Sequence, residues 1–245
     1  LPRETENNIR SLFAAPKGWA FIAADYAAME LRVLSHIAKE GNMQLAFNQG
    51  ADLHTYTAKL LFNKEQISKE ERQIAKAVSF LIVYGGGAFN LSETMNIPMK
   101  RAEKIIKDYE NVYPGIFAYM DHVNNFIKSN GYAYTIFGRK RNLPDVYSRD
   151  RQVVNRALRQ GLNFTIQSSA SDILLTSLLG ASRRFKEAGL EATPKEEVQK
   201  TVEILYDEMV NYPTIKEVFN IHFDVPLAID IEVGTSFGDV QEYKL

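Results

Sequence analysis

Hydrophobic and polar positions alternate along this chain at two periods, and the changes of period mark its elements. Trp19-Ala-Phe-Ile-Ala-Ala24 is a short apolar run bounded by Pro16 and Gly18, which predicts a buried strand leading into Asp25. Over 29–38, Leu31, Leu34 and Ile37 recur at helical spacing, the signature of one buried helix face. Residues 53–61 predict another helix. Ser68 followed three residues later by Glu71 is a capping box, so the next helix begins at 69. Helices follow over 99–109, ended near Pro114, and over 116–129, stopped by Gly131. Residues 132–137 alternate like a strand and turn at Gly138. Two long helices are expected over 149–161 and 166–185, one more over 194–209, and a closing strand over 225–233 with acidic residues at 230 and 232. No internal repeat, low-complexity tract or flexible linker interrupts the pattern. It describes a mostly helical insert flanked by strand-bearing pieces, an α+β, helix-rich class.

Composition narrows the possibilities. At 245 residues the chain is long for one domain and can bury a sizeable core. Aromatics at 11% and charged residues at 24% belong to a globular chain. A net charge of −1 is unusual for a protein that holds nucleic acid. Any such surface must therefore concentrate its positive charge locally, as in Lys100-Arg101 and Arg139-Lys140-Arg141. The absence of cysteine rules out disulfides and thiolate metal sites and suits a reducing cytosol. No stretch approaches 18 uninterrupted apolar residues, so no membrane span is expected. The opening Leu1-Pro2-Arg3-Glu4 lacks the pattern of a signal peptide and, without Met, is expected to be a cut inside a larger protein.

The candidate chemistry lies in four residues spaced by four, Arg72, Lys76, Phe80 and Tyr84, followed at once by Gly85-Gly86-Gly87. Such residues share one helix face and drift slowly around it. The face offers two cations and then two rings, and the glycines end or bend the helix beyond them. Cations suit phosphates, and a ring suits a nucleobase. An amphipathic helix explains any single pair. The ordered set predicts a nucleoside triphosphate laid along the helix, phosphates toward its amino-terminal end. Arg159, Asn163 and Gln167 form a second polar set spaced by four. Taken alone, Asp25 at the end of its strand would be a helix N-cap.

The run Arg72-Gln-Ile-Ala-Lys76-Ala-Val-Ser-Phe80-Leu-Ile-Val-Tyr84-Gly85 resembles motif B, the fingers helix of family A, DNA polymerase I-like, DNA polymerases. Asp25-Tyr26-Ala-Ala-Met-Glu30-Leu-Arg32 resembles the family's motif A, and Asp52-Leu-His54-Thr55 its D-[IL]-H-T element. Gly138-Arg139-Lys140-Arg141 and Arg159-x3-Asn163-x3-Gln167 match later elements in the same order, and the similarity covers nearly the whole chain. The resemblance implies a right-hand architecture, with a helical fingers subdomain over 41–150 inserted in an antiparallel-sheet palm formed by 1–40 and 151–245. It implies primer-template DNA and deoxynucleoside triphosphates as partners, and two Mg²⁺ ions for phosphoryl transfer. It also implies an upstream thumb, with a possible exonuclease, in a longer parent chain of a bacterial or phage-infected cytoplasm.

By the same resemblance, Asp25 is a metal ligand, helped by the backbone carbonyl of Tyr26. Glu30 sits under the sugar and excludes a 2′-hydroxyl. His54 and Arg72 touch the phosphates, and Lys76 contacts the triphosphate and can protonate the leaving pyrophosphate. Phe80, lacking a hydroxyl, favours substrates bearing a 3′-hydroxyl, and Tyr84 stacks near the templating base. Arg139, Arg141, Arg159, Asn163 and Gln167 are expected on DNA, the last three in the minor groove, where acceptors are shared by correct pairs. The pattern breaks once. The family's second catalytic carboxylate lies in a Val-His-Asp hairpin expected between Ala192 and Thr193, where roughly a dozen residues are missing. None of Asp224, Asp230 and Glu232 is expected to reach the metal beside Asp25. A non-catalytic nucleotide- or DNA-binding module is the alternative reading.

Overall fold

The structure is a computed structural model, and residues 9–190 and 195–245 are described. In chain order they form β1 (Phe21–Tyr26), α1 (Met29–Ile37), α2 (Gly41–Asn48), α3 (Leu53–Phe62), α4 (Lys69–Val83) and α5 (Ala88–Met95). Then come α6 (Met99–Val112), α7 (Pro114–Asn130), β2 (Tyr132–Tyr134), β3 (Lys140–Asn142) and α8 (Arg151–Asn163). The rest is α9 (Ser169–Glu187), α10 (Val198–Tyr206), α11 (Pro213–Phe219), β4 (Ile229–Gly234) and β5 (Gln241–Glu242). These elements gather into two compact units. One holds Leu1–Ala27, Ile173–His222 and Leu227–Leu245, and the other holds Ala28–Asp172 and Phe223–Pro226. Among the described residues no helix is long and apolar enough to cross a membrane.

The first unit is built on a small antiparallel sheet of order β1-β4-β5. The register sets Phe21 across from Gly234, Ala23 across from Glu232 and Asp25 across from Asp230. Alternation along a strand puts Ala23, Asp25, Asp230 and Glu232 on one face. The outer edge of β1 has no strand partner among the described residues. Beside the sheet, Ala181, Leu190 and Ile204 form a small core, with Phe185, Ala188 and Leu205 packed on it. Tyr26 ties β1 to the helices. Its hydroxyl donates to the Met209 carbonyl at 3.0 Å and pairs with the Ser177 hydroxyl at 3.1 Å. Burial pushes this phenol up to about 12. Glu208 is also buried, and Arg184 bonds both its carboxylate, at 3.3 Å, and that of Asp207, at 2.6 Å.

The second unit packs α1 to α8 around apolar side chains that include Leu31, Leu34, Ile74, Val78, Tyr109, Ile116 and Ile127. Its long helix α4 starts where the capping box predicts. Ser68 accepts from the Glu71 amide at 3.2 Å, and the Glu71 carboxylate accepts from the Ser68 amide at 2.9 Å. One face of α4 is buried through Ile74, Ala75, Val78, Ser79, Ile82 and Val83. A buried carboxylate fastens the turns of this unit. Glu40 accepts from the Asn42 amide at 3.2 Å and from the Gly115 amide at 2.7 Å, joining the start of α2 to the start of α7. Tyr113, also buried, shares a 2.7 Å hydrogen bond with the Thr57 hydroxyl of α3.

Several boundaries differ from those that periodicity predicts. The strand expected over 132–137 is only Tyr132–Tyr134 and pairs with β3 across the Gly138 turn. The helix expected from 166 is continuous with α8 through a π-helical turn, Phe164–Ser168, which a 3.6 period does not reveal. The expected 194–209 helix opens with a 3₁₀ turn at Lys195–Glu197 and closes in a second π turn, Asp207–Asn211. Pro194 and the expected hairpin position between Ala192 and Thr193 lie outside the described residues. The short elements α2, α5, α11 and β5, of two to eight residues, carry too little periodicity to be read from sequence.

The capping box makes a direct prediction. Ser68→Ala removes the acceptor for the Glu71 amide and should lower stability by about 1 kcal/mol, a typical cost of losing a Ser cap. Urea unfolding should show a lower midpoint with an unchanged slope. An unshifted midpoint would mean that tertiary packing alone holds this end of α4.

Candidate functional site

The four-residue spacing on α4 has a geometric consequence. Four residues advance a helix by roughly 40° beyond a full turn, so the strip from Arg72 to Tyr84 swings through roughly 120°. The buried face holds Ile74, Val78 and Ile82, and the strip stays outside it. At its amino-terminal end Arg72 is held by a two-point ion pair. Its Nε donates to Asp52 Oδ2 at 2.9 Å and its Nη2 to Asp52 Oδ1 at 3.0 Å. Asp52 is also the N-cap of α3, accepting from the Thr55 amide at 3.0 Å. The Arg72 hydrogen bonds are the largest cause holding the Asp52 carboxyl down at about 2, and Asp52 in turn raises Arg72.

One turn on, Lys76 is exposed and forms no ion pair among the described residues. The Phe80 ring lies 5.8 Å from the His54 ring. His54 Nδ1 is buried with no hydrogen-bond partner among the described residues. Burial lowers the His54 pKa, the Asp52 charge opposes this, and the charges of Arg72 and Lys76 reinforce it. At the far end the Tyr84 hydroxyl donates to Glu30 Oε2 at 3.0 Å. Burial is the first cause raising the Tyr84 pKa, with Glu30 next, while a hydrogen bond from the Gln167 side chain lowers it. Thus Glu30 and Tyr84, predicted from separate motifs, meet directly, and Gln167 from a third joins them.

The glycine after Tyr84 is required here. Gly85 has φ +68°, and an added Cβ would stand 3.0 Å from Arg159 Cγ. The stem of Arg159 therefore lies against the end of α4. Asn163 closes α8 with its Oδ1 buried and unpartnered among the described residues, while Gln167 is exposed in the π turn that follows. Arg139 is engaged within the unit. It donates to Asp172 at 3.0 Å and to the Ser168 carbonyl at 3.2 Å, with its guanidinium 5.4 Å from the Phe164 ring. Arg141 is exposed, with its guanidinium 5.8 Å from the same ring.

In the first unit, Asp25 is exposed and lines a cavity of about 780 Å³ together with Asp230, Glu232, Leu174, Leu178 and Met209. Of Asp224, Asp230 and Glu232, none of which was expected within metal-bridging reach of Asp25, the β1–β4 register places Asp230 directly across from it. The spacing of residues 25 and 230 along the chain carries no hint of this pairing. The Tyr26 phenol points into hydrogen bonds with Ser177 and Met209, so only its main chain could serve a metal. Among the described residues no three His, Cys, Asp or Glu side chains gather as a metal site. Asp25 with Asp230 fits one Mg²⁺, which commonly takes one or two carboxylates beside substrate phosphates. A full two-ion donor set is not present among the described residues.

Sequence reasoning also missed the tie from Asp52 to Arg72, since the two residues belong to different helices and different motifs.

A profile of DNA polymerase family A matches residues 1–239. DNA polymerase I of Geobacillus stearothermophilus is 35% identical over 254 aligned residues, covering 97% of this chain and 28% of that protein. The enzyme of Treponema pallidum is 35% identical, covering 94% of this chain and 24% of its own length. The polymerase domain of Pol1 from M. smegmatis, solved as a complex with DNA primer-template and dNTP, superposes with a TM-score of 0.85 at 28% identity. That match covers 94% of this chain and 42% of that one. The chain thus spans little more than a quarter of the first of these relatives. With a profile match over nearly its whole length, the chain belongs to DNA polymerase family A.

Proposed function

We propose that this chain is the palm and fingers portion of a template-directed DNA polymerase, which adds deoxynucleoside triphosphates to a primer 3′ end. The observation that carries the reading is the α4 strip, in which two cations precede two rings on a face held outside the core. On this reading residues 41–150 are the fingers, and 1–40 with 151–245 are the palm. Primer-template DNA and the incoming nucleotide are the partners, in the cytoplasm of a bacterium or a phage-infected host. The M. smegmatis neighbour, a complex with primer-template and dNTP, supports both partners. A thumb, with a possible exonuclease, would belong to a longer parent chain.

Each side chain then has a physical task. Arg72 and Lys76 neutralise phosphate charge at the amino-terminal half of α4, and Lys76, free of an internal ion pair among the described residues, can deliver a proton to the leaving pyrophosphate. Neutral His54, pushed down by burial, donates a hydrogen bond without adding charge. Glu30, oriented by the Tyr84 hydroxyl, stands as the obstacle to a 2′-hydroxyl. Arg141, Arg159, Asn163 and Gln167 offer polar groups to the duplex, while Arg139 has part of its charge taken by Asp172. A divalent cation held by Asp25, with the Tyr26 carbonyl or Asp230, would supply Lewis-acid charge neutralisation when bound.

The reading includes a second catalytic carboxylate on a hairpin that this sequence lacks between Ala192 and Thr193. One observation supports it. The outer edge of β1 has no partner among the described residues, beside a cavity lined by Leu174 and Leu178. The alternative, a nucleotide- or DNA-binding module without catalysis, is favoured by the lack of a three-carboxylate cluster among the described residues. Primer extension separates the two. Insertion of a relative's hairpin at 192–193 should confer extension on the chain, and a chain that binds nucleotide but still fails to extend would favour the binding module.

In an extension-competent form, Asp25→Ala should abolish incorporation and leave primer-template binding largely intact, since a metal ligand acts on the transition state. Near-normal single-turnover incorporation would end that assignment. Glu30→Ala should admit ribonucleotides, read as the ratio of incorporation efficiencies for a ribonucleotide and its deoxy counterpart, and an unchanged ratio removes the gate. Phe80→Tyr should reduce discrimination against dideoxynucleotides. No change there would mean that the ring does not face the sugar.

A further inference from the structure

We propose that Asp52 is a positioning residue for the nucleotide's terminal phosphate, acting through Arg72. The inference rests on the reading of Arg72 as a phosphate contact and adds to it a residue whose charge is opposite to what a phosphate site needs. Asp52 takes the Nε and Nη2 edge of the guanidinium in a two-point grip. A guanidinium presents five donors in a fixed plane, so a grip on one edge sets the direction of the other. The Nη1 edge is thereby aimed and left for a second oxyanion.

The grip is anchored at both ends by helix geometry. Asp52 does not move freely, because its carboxylate caps α3 through the Thr55 amide at 3.0 Å and also accepts from the Thr55 hydroxyl. Arg72 sits in the first turn of α4, whose start is fixed by the Ser68–Glu71 capping box. The pair is half exposed, with 42% of the Arg72 side chain and 46% of the Asp52 side chain open to solvent. An ion pair so exposed contributes little to stability. Its consequence is the ordering of a long side chain that would otherwise lose its rotamer freedom only when the ligand binds. Asp52 remains ionised across the working range, since Arg72 holds its carboxyl far below neutrality.

Two effects oppose each other when a triphosphate arrives. The Asp52 charge repels it, and the preset guanidinium favours it. At the half-exposed surface the high dielectric of water makes repulsion across several ångströms weak, while the two-point grip fixes the guanidinium before the ligand arrives. Positioning therefore prevails, and removing Asp52 weakens triphosphate binding.

The test separates cap from grip. Asp52→Ser keeps a good N-cap for α3 but is too short to reach Arg72 with two acceptors. Asp52→Asn keeps the cap and the acceptor on Nε or Nη2 without the charge. Binding of dATP and dADP to the 245-residue chain is measured by calorimetric titration with Mg²⁺ present, alongside thermal melting. Asp52→Ser should melt close to the parent and bind dATP roughly three- to tenfold more weakly, the loss expected for one unordered long side chain, with dADP unchanged. Asp52→Asn should fall between the two, and the Asp52→Ser effect should vanish in an Arg72→Ala background. Unchanged or tighter dATP binding by Asp52→Ser, with Arg72→Ala still weakening it, overturns the positioning role and leaves the phosphate role of Arg72 standing. Indifference of dATP binding to Arg72→Ala overturns both.

Discussion

The second unit depends on one burial. Ile74, Val78 and Ile82 of α4, with Ala75 and Val83, are closed off from solvent, so the helix cannot rotate without exposing them. Losing a single such side chain from a packed core costs about 2–5 kcal/mol, far more than any contact on the outer face contributes. The orientation of Arg72, Lys76, Phe80 and Tyr84 is therefore dictated by residues that touch no ligand. The slow drift of a four-residue repeat on a 3.6-residue helix then spreads those four along a slanted strip rather than a straight line. A slanted strip suits an extended ligand that changes character from phosphate to base along its length.

Around that helix the unit places polar groups at turns, where backbone donors would otherwise be orphaned. Glu40 is buried and spends both carboxylate oxygens on backbone amides, at Asn42 and Gly115. Asp52 gives both oxygens to the Arg72 guanidinium and shares Oδ2 with the Thr55 amide of α3. The two carboxylates show the same device used for different ends. Enclosed, it locks one turn to another; exposed, it aims a cation. Tyr84 and Glu30 extend the pattern, since a phenol that donates to a carboxylate fixes where the carboxylate can stand.

In the first unit the deciding constraint is register. Pairing Phe21 with Gly234 forces Asp25 across from Asp230, because an antiparallel ladder allows no independent choice further along. Like charges directly opposite one another are unfavourable in a sheet, and both carboxylates are exposed on the lining of a cavity. Such a pair is tolerated where water or a cation can screen it. The half-buried Tyr26 hydroxyl, tied to Ser177 and Met209, keeps the end of β1 from shifting and so keeps the pair in place.

Much of this was legible in the amino-acid order. The capping box at Ser68, the helix stop at Gly131 and the strand leading into Asp25 are written locally, since a cap, a left-handed glycine and an apolar run each act within a few residues. The family and its helix-rich class followed from motifs whose order along the chain is itself the signal. Other features were not legible. The π turn at Phe164–Ser168, the Asp52–Arg72 grip, the Gln167–Tyr84–Glu30 contact and the facing of Asp25 by Asp230 all join residues with no shared period. Local sequence sets which backbone conformations are cheap; the distance between two side chains from different elements is set only when those elements bury their apolar faces together.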